Sequence, residues 1–128
     1  MNKKDALPTV EDFLSGKSVT TLALFHHFVA VYQSLGEADL HPTKTMIGIT
    51  HTGKRIAWIT QLGRDFVHVV FPFKQPYPDN LCFQKIARVP GDAHQFNHHF
   101  RMYYKEDVNE EVRSFMKLSY DKEQQGSV

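Results

Sequence analysis

Apolar residues recur with helical spacing near both ends of the chain and with strand spacing between them. Leu22, Phe25, Val29 and Tyr32 fall on one helical stripe, and Leu24, Phe28 and Val31 widen it. Ser18 stands where an N-cap belongs and Gly36 where the residue after a helix belongs. The spacing therefore predicts a helix from about Ser18 to Leu35. Ahead of it, Thr9 and Asp12 form a capping-box pattern for a short helix that ends near Ser15, before Gly16. Towards the other end, Val112, Phe115, Met116 and Leu118 supply the apolar face of a last helix. Asp107 or Asn109 caps it, and it runs to about Asp121. Glu110 and Glu111 stand in its first turn, where the helix dipole favours acid. Residues 1–8 and 122–128 read as flexible ends.

From Asp39 the period becomes two. Residues 43–50, 55–60, 66–71, 83–89 and 93–103 are strand candidates, separated by turn signals such as Thr52-Gly53 and Pro90-Gly91-Asp92. Pro72, Pro76 and Pro78 make residues 72–80 a loop. Connections of hairpin length do not build parallel crossovers. The pattern predicts one α+β domain over residues 1–128. Its antiparallel β-sheet has four to six strands, and two or three N-terminal and C-terminal helices pack on one face. Phe25, Val29, Ile47, Trp58, Val69, Phe71, Ile86, Phe100, Phe115 and Leu118 are the expected core.

Composition adds limits. At 128 residues, with ten Phe and five Tyr, the chain has material for a core without metal or disulfide. Its one cysteine, Cys82, cannot form an internal disulfide, which fits a cytoplasmic location. The first residues lack the apolar stretch of a secretory signal. The apolar-rich run from Leu22 to Tyr32 is interrupted by His26 and His27 and is too short to span a bilayer, so no membrane partner is expected. Net charge is only +1, but it is segregated. Residues 41–105 hold nine Lys and Arg against three Asp, while both flanks are acidic.

That cationic middle segment carries the candidate chemistry. In the last strand Phe96, His98, Phe100 and Met102 alternate with Asn97, His99, Arg101 and Tyr103, so one face is largely apolar and the other wholly polar. Lys44 and His68 hold comparable positions in earlier strands. Lys44, His68, His99 and Arg101 on one sheet face would present donors suited to an anion, either a small molecule or nucleic acid. An ordinary solvent-exposed sheet face produces the same pattern. Tyr77 and its neighbours Phe71, Phe73 and Lys74 lie among prolines. They could hold an aromatic ligand or simply cover the sheet edge. The reading that follows is a non-catalytic binding or accessory module for an anionic or nucleotide-like ligand. Its alternatives are a small enzyme using His68, His98 or His99 as acid–base, and a homodimer joined through the aromatic loop.

Other chemistry is excluded or weak. His94 and His98 would share a metal on a helix, but on a strand they stand about 13 Å apart. No metal site and no cofactor are expected. Cys82 reads as a small core residue rather than a nucleophile. There is no glycine-rich phosphate loop and no nucleophile elbow.

The runs HPTKTMI from His41, FVHVVF from Phe66, RVPGDAHQFNHHF from Arg88 and NEEVRSFMKLSY from Asn109 resemble the DUF5655 domain family, small bacterial domains of unknown function. The similarity extends from about Phe25 to Tyr120. The resemblance implies a small α+β domain without an assigned activity or catalytic residues. Some relatives are attached to nuclease-like domains, which implies a nucleic-acid or defence-system setting.

Overall fold

The computed structural model describes residues 6–121. Most of the expected flexible ends, residues 1–5 and 122–128, lie outside the described residues. The fold is α+β: α1 (Val10–Leu14), α2 (Val19–Leu35), β1 (Asp39–Pro42), β2 (Ile47–His51), β3 (Lys54–Gly63), β4 (Phe66–Phe73), β5 (Lys85–Arg88), β6 (Phe96–Met102), a 3-10 turn and α3 (Glu110–Tyr120).

The helices begin where the capping residues stand. Thr9 and Asp12 close the expected capping box, Ser18 accepts from Thr21 N–H, and Asn109 accepts from Val112 N–H. The β2–β3 hairpin turns at Thr52 and Gly53, both with positive φ.

The six strands form one antiparallel sheet in the order β1-β2-β3-β4-β6-β5. One connection departs from expectation. Residues 74–84 carry the chain from β4 past β6 to the outer edge, so β6 slots between β4 and β5. Both β4 and β5 run antiparallel to β6 and hence parallel to each other, so not every connection is a hairpin. The prolines of this segment disfavour strand or helix, and its rings anchor it. Tyr77 packs edge-on against Phe115 of α3, and Phe83 does the same.

The helices lie on one face of the sheet. Phe28 of α2 meets Phe71, Phe115 of α3 meets Phe73, and Phe13 of α1 stands with Ile47 and Ile59. Phe25, Val29, Ile47, Val69, Phe71, Phe100 and Phe115 are buried as expected. Three expected core residues are not. Ile86 and Leu118 are only partly buried, and Trp58 lies half-buried on the opposite sheet face. Pro72 and Phe73, expected in the loop, instead extend β4, and Phe73 joins Phe71 in the core. None of the described helices is long and apolar enough to cross a membrane.

Candidate functional site

Strand register decides which side chains share the helix-free face. Trp58 of β3 stands opposite Val70 of β4, Val70 opposite His99 of β6, and His99 opposite Lys85 of β5. One step along, His68 is flanked by Gln61 and Arg101. Gln61 reaches this face because a bulge at Thr60 shifts the register of β3.

Three of the side chains expected to cooperate form a hydrogen-bonded chain. Arg101 Nε donates to His68 Nδ1 at 3.1 Å, and His68 Nε2 lies 2.9 Å from His99 Nδ1. Arginine can only donate, so His68 Nδ1 is an acceptor and its ring proton sits on Nε2. Nε2–H then donates to His99 Nδ1, which leaves the His99 proton on Nε2 at the open end of the chain. A proton added to either imidazole would set two N–H groups against each other. Burial, then Arg101 and His99, hold the His68 imidazole down to about 4. Burial and then Lys85 lower that of His99. The pair is therefore uncharged at neutral pH. The permanent charges here are Arg101 and Lys85, and the two histidines take part as neutral hydrogen-bonding groups.

Two glycines shape the same face. A side chain on Gly63 would collide with the Phe66 ring, and the Arg101 guanidinium stacks over that ring at 4.3 Å. Tyr103, 45% exposed, lies beside Phe66 with ring centroids 5.9 Å apart. Gly48 makes room for Arg55, whose guanidinium stacks on the Trp58 indole at 3.8 Å. From β2 to β5 no outward strand position holds Asp or Glu. Asp39, on β1 at the far edge, is the nearest strand carboxylate on this face.

Two expected site residues lie elsewhere. Lys44 is exposed in the turn joining β1 to β2, and β3 separates it from His68. Tyr77 sits on the helix-covered face, its ring 5.5 Å from that of His98. The alternation of β6 already put His98 on that face. There it is fully buried, accepts Tyr77 N–H at Nε2 (3.1 Å) and donates from Nδ1 to Phe96 O (2.9 Å). With both nitrogens engaged and burial lowering its pKa, His98 is an anchor and not an acid–base group. Cys82 is similarly inert: burial and then Glu111 push its thiol up to about 12.

Lys85, Phe66, Trp58 and Arg55 join the face without having been picked out by sequence. Lys85 needed the pairing of β5 with β6, which no local pattern reveals. Trp58 defaults to core in any hydrophobicity reading. Among the described residues no cluster of three or more His, Cys, Asp or Glu could hold a metal. No family model matches the chain, and no curated protein or solved structure matches it significantly.

Proposed function

We propose that the protein is a non-catalytic binding module whose helix-free sheet face holds an anionic ligand. The observation that carries this is the Arg101–His68–His99 chain, which ends in an outward N–H donor on His99 beside Lys85. Two fixed cations and one aligned donor, with no carboxylate among them, form a cradle for phosphate-like oxygens. Binding is favoured over acid–base catalysis because His68 has both nitrogens engaged and is a poor base at neutral pH. A cytoplasmic location and the DUF5655 resemblance belong to the same proposal. The first rests on the unpaired cysteine and the second on the quoted sequence runs.

Titration calorimetry with inorganic tripolyphosphate at low salt and about pH 6 tests it. Binding is expected, weakening with salt. Arg101→Ala and Lys85→Ala should each weaken it roughly tenfold, the scale of one charge-assisted contact, with circular dichroism unchanged. No binding by the folded wild-type chain overturns the reading.

A further inference from the structure

The cationic centre of this face lies between two sets of aromatic rings. On one side is half-buried Trp58. On the other are Phe66 and the exposed Tyr103. Trp58 pairs with Val70, and Phe66 precedes Val70 by four residues on the neighbouring strand. Four residues of strand and one interstrand step separate the two platforms by about 14 Å. That is more than the base and phosphate of one nucleotide cover. Arg101, His68 and His99 fill the interval.

We infer that this face binds single-stranded nucleic acid, with one base stacked on Trp58 away from Arg55, another on the exposed Tyr103 beside the arginine-capped Phe66, and the intervening phosphates on Arg101, His99 and Lys85. The inference rests on the anion-binding reading above and adds the ligand class to it. Ring faces recognise base faces, which only unpaired bases expose. A simple polyanion would use the cations and leave the rings idle. A mononucleotide would reach one platform. Behind the sheet, α1 holds Glu11 and Asp12, α2 has no Asp, Glu, Lys or Arg, and α3 sets Glu110 and Glu111 against Arg113 and Lys117, so the helices offer a polyanion no net positive charge.

Trp58 is the sole tryptophan, so its fluorescence reports directly on stacking. The full chain is titrated with short oligothymidylate, with a DNA duplex of the same length and with inorganic polyphosphate of matched charge. Binding of a labelled oligothymidylate is followed by anisotropy. The single strand is expected to bind tightest and to quench Trp58. Its log–log salt slope should be near −1.4 for about two phosphates, since single strands give about −0.7 per phosphate. Trp58→Leu and the exposed Tyr103→Ser should each weaken it by roughly fivefold or more and leave polyphosphate binding unchanged. Should Trp58→Leu fail to fold, Tyr103→Ser decides alone. Polyphosphate or duplex binding as tight as the single strand, or Tyr103→Ser without effect, overturns this inference and leaves the anion site standing. No binding of any of the three overturns both.

Discussion

The backbone N–H of Tyr77 donates to Nε2 of His98, tying the crossover to the middle of β6. His98 is fully buried and also holds Phe96 O through Nδ1. Accepting at Nε2 while donating from Nδ1 requires the neutral ring, so a histidine serves here as a two-ended polar brace inside an aromatic cluster. Phe73, Tyr77 and Phe83 each place a ring within about 5.5 Å of it. His98→Phe keeps the ring and removes both bonds, which orphans two backbone groups. It should cost about 2–4 kcal/mol in urea unfolding, because each buried unsatisfied group costs about 1–3 kcal/mol. A loss below about 0.5 kcal/mol would mean that the brace is not formed in solution.

A second buried polar contact joins α2 to α3. Ser119 Oγ donates to Met116 O at 2.8 Å, so the Tyr32 hydroxyl donates to Ser119 Oγ at 2.6 Å. Burial raises the phenol pKa, keeping it a donor. Tyr32→Phe removes the donor alone and should cost about 1 kcal/mol. Ser119→Ala strands a buried hydroxyl and should cost more, up to about 3 kcal/mol. A double-mutant cycle on thermal or urea unfolding measures the coupling. Additive effects would show that the bond contributes nothing.

The fold class was legible because helical and strand periods are local signals. Ser18, Gly36, Asn109 and the Thr52-Gly53 turn mark boundaries that side-chain chemistry alone dictates. The β4–β5 crossover was not legible, because strand order is decided by which edge β6 joins, and no residue in the loop encodes it. The site was legible in part for the same reason. Alternation placed His99 and Arg101 on one face of β6, and His68 joined them through register. Lys44 failed because period two was extended into a turn, where side chains no longer alternate between two faces, and Tyr77 because nothing local to a proline-rich loop says which sheet face it covers. Trp58 failed because hydrophobicity does not distinguish an inward indole from one resting on an arginine.

Trp58 offers a direct contrast with the core. Its indole packs on Arg55 on the outer face, whereas Phe71 is fully buried among Phe28, Phe73, Phe83 and Phe100. Phe71→Ala should cost about 3–5 kcal/mol and Trp58→Ala distinctly less, about 1–2 kcal/mol. Gly48→Ala would put a methyl 2.7 Å from Arg55 Nε and force that side chain off the indole. It should shift the Trp58 emission maximum and destabilise the chain by about 1–3 kcal/mol. Equal losses for Phe71→Ala and Trp58→Ala would place Trp58 in the core after all.

The histidine pair sets the pH dependence. The ionisable groups facing His68 and His99 are Arg101 and Lys85, with no carboxylate to favour the charged imidazole. The folded-state pKa of His68 is about 4 against an ordinary 6.5. Between these values the unfolded chain binds a proton that the folded chain refuses. Stability on this account is complete above about pH 6.5 and falls as pH drops towards 4. Histidine-detected NMR should show His68 as the Nε2–H tautomer with a midpoint near 4. Arg101→Met removes one cause of the depression and should move that midpoint up towards 6.5. A bound polyanion supplies the missing negative charge and should also raise it. Binding of sulfate, which itself takes up no proton between pH 8 and 5, is then accompanied by proton uptake on the protein below about pH 6.5, read as a dependence of calorimetric enthalpy on buffer, and tightens as pH falls across that range. A His68 midpoint already at 6.5 in the free protein would contradict the hydrogen-bonded chain on which the site rests.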